Sequence, residues 1–266
     1  MVKVVLTTIL ILINTFNICL AQTSPYRVRA IDVISIPVAG GLSLLGLKEL
    51  RAKPRLDSAY VVTLSPADVN AFDRGAARKD YHHAGVFSDA ALYTSIAIPF
   101  LTLLDKNIRH DGLKIITLYL ETMGAMGVIY TWGVSQTRRK RPYVYNAEVE
   151  MEKRTGKGAL NSFFAGHPAA AAASTFFAAK VLHDYYPDMQ HEWIIWTVAS
   201  IPPALVGYFR YQNGQHFPTD IIAGLPIGVA LGILIPEIHK KKKDSNISII
   251  PTYINQTGIV SFTYKF

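Results

Sequence analysis

The stretch RYQNGQHFPTD, residues 210–220, decides how the chain is organised. It separates two apolar segments, Trp193–Phe209 and Ile221–Ile238, the second being the most hydrophobic in the chain. Pro218 suits the first turn of a helix, where its missing N–H costs nothing, so a helix begins at the end of this stretch. His216 and Asp220 stand four apart and share a helix face. A carboxylate so placed can hold one imidazole nitrogen and leave the other free as a nucleophile or base. Arg210, six residues upstream of His216, closes the preceding apolar segment. Its planar guanidinium can clamp a phosphate through two hydrogen bonds. An interfacial arginine and a satisfied His–Asp pair would look the same in isolation, so the rest of the chain has to discriminate.

Of the 266 residues, 50% are hydrophobic and 17% are charged, against about 25% charged in soluble domains. Mean hydropathy is +0.21. A wholly disordered chain is excluded, and a simple soluble fold does not fit. One cysteine, Cys19, rules out internal disulfides and a multi-cysteine zinc site. The net charge of +8 suits anionic lipid or a phosphorylated substrate; the apolar content argues against nucleic acid. Lys3, the apolar run Val4–Ile13 and Ala21 before Gln22 read as an export signal over residues 1–21, with an uncleaved anchor as the other reading.

A bilayer core of about 30 Å needs about 20 apolar residues in a helix. Ile31–Leu50, Val86–Leu104, Leu113–Trp132 and Pro168–Leu182 meet or approach this, as do the two segments flanking residues 210–220. The expectation is an all-α, multi-span transmembrane bundle of five or six helices. Pro37 and Gly40-Gly41 leave open whether Ile31–Leu50 crosses, and Pro202-Pro203 predict a kink or break. Ser88-Asp89 reads as a helix cap. Glu121 lies inside a span, where a carboxylate is costly and needs a partner. Lys240–Lys243 reads as a cytosolic stop. After it, Ile247–Tyr253 and Gly258–Phe266 suggest a short β-hairpin-like tail. The chain divides into the signal (1–21), an N-terminal segment with a polar loop (22–85), the helical membrane domain (86–239) and the tail (240–266).

Two further clusters fall at helix ends. Arg138-Arg139-Lys140-Arg141-Pro142 follows Leu113–Trp132, and Ser162–His167 precedes Pro168–Leu182. Gly166 at a helix start lets an anion approach the backbone, where free N–H groups point outward. His167 beside it can protonate a leaving oxygen. Each cluster alone is an ordinary basic flank or capping loop; three of them at three helix ends point the same way.

The set resembles the type 2 phosphatidic-acid phosphatase and vanadium haloperoxidase superfamily, whose pattern is Lys-x6-Arg-Pro, then Pro-Ser-Gly-His, then Ser-Arg-x5-His-x3-Asp. Arg141-Pro142, Gly166-His167 and Arg210-x5-His216-x3-Asp220 match it, and the resemblance covers Ser88 to Ile238. Val134 stands where the family has lysine, Phe164-Ala165 where it has Pro-Ser, and Phe209 where it has serine. Arg138, Arg139 or Lys140 could replace the missing lysine charge. The resemblance implies that Arg141, Arg210 and the Gly166 backbone hold a phosphate. It further implies that His216 attacks phosphorus, Asp220 orients His216, and His167 protonates the leaving alcohol, with no metal and no cofactor. The implied substrate is a lipid phosphate or a polyprenyl pyrophosphate, and the implied location is the bacterial inner membrane. The site faces the periplasm if Ile31–Leu50 does not cross. A vanadate-dependent haloperoxidase and a non-catalytic lipid-phosphate binder are the alternatives; Val134 and Ala165 keep the second open.

Overall fold

A computed structural model describes residues 24–241 and the backbone of residues 247–254 and 257–264. The expected export signal and Cys19 lie outside the described residues. The helices are α1 (Ala30–Arg51), α2 (Ser58–Val62), α3 (His83–Leu101), α4 (Lys106–His110), α5 (Gly112–Gln136), α6 (Met151–Thr155), α7 (Gly166–Tyr185), α8 (Trp193–Gln212) and α9 (Pro218–Ile238). In the tail, Ile247–Ile254 (β1) and Thr257–Tyr264 (β2) pair antiparallel.

Four helices are long and apolar enough to cross a membrane: α1, α3 extended to Leu104, α5 and α9. The sequence suggested five or six. The shortfall lies in α7 and α8, which have membrane length but weaker hydropathy. Alanine together with Lys180 and Asp184 dilutes α7; the tryptophans, Pro202-Pro203 and Arg210 dilute α8. α8 also runs unbroken through Pro202-Pro203. Packing against α3 and α7 holds the helical path that local propensity disfavours.

α7 is the centre of the bundle, touching α3, α5, α8 and α9. Its small side chains let neighbours approach closely. The closest approach is to α9, through Gly224, Gly228 and Gly232, one per turn on a single face. A Cβ at Gly224 would lie 2.5 Å from the Ala165 carbonyl oxygen, and one at Gly232 2.6 Å from that of Ala173. At Gly228 it would collide with the Ala169 carbonyl. α1 lies along α5 in the same manner, with Ser43 against Gly127 and the Trp132 indole donating to the Leu42 carbonyl at 3.0 Å.

The long helices alternate in direction. The α1–α3, α5–α7 and α8–α9 connections therefore gather at one end, where they form a polar cap over a small core of Val61, Tyr143, Val144, Val149 and Ala159. At the other end the start of the described chain meets the end of α9: Lys241 N donates to the Pro25 carbonyl at 2.8 Å. There Asp184 takes bonds from Tyr26, Lys180 and Lys240, a buried ionic cluster at the foot of α7.

Candidate active site

The three clusters found in the sequence meet at the capped end of the bundle. α9 starts there because Pro218 fills the first helical position and the Asp220 carboxylate accepts from Phe217 N at 2.9 Å. The Asp220 side chain is fully buried and has two further donors. Ser162 Oγ donates to it at 2.6 Å, and Arg139 Nη1 at 2.5 Å. Ala165 N bonds the Asp220 carbonyl at 3.1 Å, which ties the segment before α7 to the start of α9. A turn with Gly214 at φ +63° carries the chain from Arg210 to His216. Glycine is required there twice over: a side chain would strain that φ, and its Cβ would strike the Lys79 carbonyl.

His216 is buried, and its partner differs from the one expected. Its Nδ1 bonds the Ser162 carbonyl at 2.8 Å, whereas Asp220 Oδ2 is 3.8 Å away, too far for a hydrogen bond. The i,i+4 spacing assumed both residues on one helix, but His216 precedes the helix and Asp220 is committed to capping it. The chemical result is the same by another route. A carbonyl accepts only from Nδ1–H, so the tautomer leaves Nε2 with the free lone pair. Burial pulls the imidazole pKa down to about 4, against the pull of the Asp220 carboxylate and with the push of Arg141. His216 is thus a neutral imidazole at pH 7.

Gln215 joins the two arginines. Its Oε1 accepts from Arg141 Nη1, and its backbone N donates to the Arg210 carbonyl at 3.0 Å. Arg210 Nη2 bonds Asp89 Oδ1, and the same carboxylate oxygen is 3.6 Å from His167 Nε2. Asp89 is therefore part of the site, in the second turn of a helix that begins at His83, and not a cap. Both Arg141 and Arg210 keep Nε buried with no hydrogen-bond partner among the described residues. Two buried cationic donors without an acceptor fit an anion, since each is costly to leave unmade.

Gly166 has a packing reason to be glycine, because a Cβ there would enter the Tyr130 ring. Its smallness thus serves packing against a neighbouring helix, beside the anion approach expected of it. Among the suggested lysine replacements, Arg139 is fully engaged by Asp220 and by Asp73 Oδ2 at 2.7 Å. Lys140 lies over the Tyr60 ring at 5.1 Å, and Arg138 is exposed. A buried lysine from elsewhere in the chain, Lys53 just past α1, lies against the Val134 position. Its Nζ donates to the carbonyl of Val134 itself at 2.6 Å and to that of Leu160 at 3.0 Å. Burial, with Arg138 and Arg141 adding to it, lowers its pKa to about 8. No motif spacing could have found Lys53, 81 positions from Val134.

Asp73 was equally hidden in the polar loop. It is fully buried and accepts from Arg139, Thr219 Oγ1 (2.7 Å) and Asn70 Nδ2 (3.0 Å). Burial alone would raise its pKa, but these donors hold it below the usual carboxylate range. Beside His167 an apolar cavity of about 240 Å³ opens between α3, α5 and α7, lined by Leu92, Met123, Met126, Tyr130 and Ala170.

Fold and site together define a helical bundle with a cluster of arginine and histidine side chains at one end and an apolar cavity at its side. Residues 115–244 match the model of the PAP2 superfamily. A stretch of 83 residues is 29% identical to lipid A 4'-phosphatase of Porphyromonas gingivalis, covering 31% of this chain and 32% of that protein. Over 83 residues the chain is 31% identical to phosphatidylglycerophosphatase B of Bacillus subtilis, covering 31% of this chain and 41% of the relative. The matched stretch thus spans well under half of either relative. No solved structure matches.

Proposed function

We propose that the chain is an integral membrane phosphatase that hydrolyses a lipid phosphate monoester or polyprenyl pyrophosphate through a phosphohistidine on His216. The observation that carries this is the pairing of a buried, tautomer-fixed His216 with two arginines, Arg141 and Arg210, whose buried Nε–H bonds lack acceptors among the described residues. The apolar cavity beside His167 suits an acyl or prenyl chain entering from the bilayer. In this reading Arg141 and Arg210 bind the non-bridging oxygens, and Asp89 yields Arg210 to the substrate. His216 Nε2 attacks phosphorus in line and the P–O bond to the alcohol breaks, while His167 gives that oxygen its proton. His167 then takes a proton from water as it attacks phosphorus, the P–N bond breaks, and phosphate leaves. Asp220, 3.8 Å from Nδ1, offsets the positive charge that develops on the ring. Stabilisation comes from positioned cations, as is general for phosphoryl transfer, and the guanidinium groups supply it without a metal.

The test is phosphate release from a panel of lipid phosphates in detergent with EDTA present. Wild type should release phosphate, and Arg210→Ala should lose about 10²- to 10³-fold in kcat/KM, the usual cost of one such donor. Folded wild-type protein that releases none would favour a lipid-phosphate binder. The pH profile gives a second check. His216 attacks only when neutral, so with its pKa at about 4 the acid limb of kcat/KM should fall near pH 4. An acid limb near 6.5, the value of an unperturbed imidazole, would contradict the assignment.

The same reading places α7 and α8 in the bilayer, giving six crossing helices; α8 presents Trp193, Ile194, Val198, Ile201, Leu205 and Tyr208 outward. Six crossings put Pro25 and Lys241 on one side, as their hydrogen bond requires. A cleaved export signal and a periplasmic site then exclude one another. With Lys240–Lys243 in the cytosol the site faces the periplasm, and residues 1–21 are not removed outside. Cysteine labelling at position 241 from either side of the inner membrane decides between them.

A further inference from the structure

The most unusual cluster away from the site joins Asp32 of α1, Glu121 of α5 and His239, one residue past α9. It lies at the opposite end of α9 from Asp220, about 28 Å away at 1.5 Å per residue. One donor atom from each of the three side chains lies within 4.8 Å of the others. We propose that these residues bind a divalent first-row metal ion of the zinc type, which ties α1 to α5 and α9.

The argument rests on which atoms are tied to protein and which are left facing each other. The outer atom of two ligands is fixed by a neighbour, and that of the third has a longer contact. Asp32 Oδ2 accepts from Arg29 N at 2.6 Å and His239 Nδ1 bonds the Ile235 carbonyl at 2.7 Å, while Glu121 Oε1 lies 3.3 Å from Ser35 Oγ, whose proton goes to the Asp32 carbonyl at 2.7 Å. Metal-binding histidines are held in this way, with the far N–H on a carbonyl or carboxylate. That bond makes Nδ1 the protonated nitrogen and aims the Nε2 lone pair inward. His239 is buried to 95%, and Nε2 has no hydrogen bond among the described residues. Glu121 Oε2 is buried and equally without a partner. Asp32 Oδ1 has only a 3.4 Å contact with the exposed Arg29 guanidinium.

A neutral imidazole lone pair pointing at two carboxylate oxygens is repulsive, so a proton, on the ring or on a carboxyl group, or a metal ion must sit between them. A proton on Nε2 would draw the oxygens to about 2.7–2.9 Å, the length of a charge-assisted bond. They are instead 3.4 Å (Asp32) and 3.3 Å (Glu121) from Nε2. Two ligands about 2.0–2.1 Å from one tetrahedral ion stand about 3.3–3.4 Å apart, which is the spacing observed. An imidazole with two carboxylates is a donor set for zinc more than for calcium or magnesium, which prefer oxygen alone. Three protein ligands leave the fourth position to water.

The test uses the full chain, purified in detergent and stripped with chelator, titrated with zinc alone by calorimetry and with cobalt alone by absorption. Wild type should bind one equivalent, give four-coordinate cobalt bands and unfold at a higher temperature with zinc. His239→Ala should weaken zinc binding by more than the about 10- to 100-fold that loss of an outer partner costs. Glu121→Gln keeps the size of the side chain, so it should fold and still lose the cobalt bands. Absence of binding by folded wild type, or equal binding by folded Glu121→Gln, would overturn the proposal and leave a protonated His239 between the carboxylates. Phosphate release measured well below the unfolding temperature should not depend on zinc, so this result and the outcome for the active site are read separately.

Discussion

His216→Ala should abolish lipid phosphate hydrolysis, with a loss on the order of 10³-fold or more, the scale on which removal of a nucleophile is felt. The protein should still fold. The substitution leaves the Ser162 carbonyl without its 2.8 Å partner, a cost of about 1–3 kcal/mol, and the unfolding temperature should drop by a few degrees. His216→Gln separates the two effects, because its amide N–H can reach the same carbonyl while offering no nucleophile. It should be more stable than His216→Ala and just as inactive. Phosphate release measured beside thermal unfolding for both variants checks this; an active His216→Gln would remove His216 from the nucleophile's role.

Gly228→Val should prevent assembly of the bundle altogether. The Cβ would collide with the Ala169 carbonyl and lie 2.9 Å from the Ala172 Cβ, with α7 backbone on one side and α9 backbone on the other. Overpacking among mobile side chains costs about 1–3 kcal/mol. Here the clash is with backbone at the central helix contact, and no rotamer relieves it. Fluorescence-detected size exclusion in detergent should show aggregate in place of a monodisperse peak. Gly40→Ala is the matched control, since nothing lies within 4 Å of a Cβ there. That change should be neutral or raise stability by about 0.5–1 kcal/mol through helix propensity.

The two glycines show what a sequence can reveal. Both sit in apolar segments, and composition alone marks them as small residues suited to close packing. Only the neighbour distinguishes them, and the neighbour lies 59 residues away in the chain. The site divides along the same line. Arg141, Arg210, His167, His216 and Asp220 were legible because each sits at the end of an apolar segment with fixed spacing to another polar group. Ser162 was inside a recognised cluster, but its carbonyl, which fixes His216, has no signature in residue identity. Asp73, Asp89 and Lys53 arrive from other parts of the chain through tertiary packing. Lys53 sets a buried cation against the Val134 carbonyl from 81 positions away, which the local sequence does not reveal. The expected His216–Asp220 bond failed for a related reason. Spacing was read as if both residues were helical, and the helix begins between them.

The count of spans turns on a different point. Bundle interiors in lipid need small residues more than greasy ones, so α7, the most central helix, is among the least hydropathic. Apolarity reports contact with lipid, and α7 has little.

The most direct test of the central claim is to trap the enzyme during turnover of a substrate labelled with ³²P in the transferred phosphoryl group. Acid-labile, alkali-stable label should appear on the peptide containing His216 and be absent from His216→Ala. An enzyme that turns over with no such label, or with label on another residue, would contradict the account.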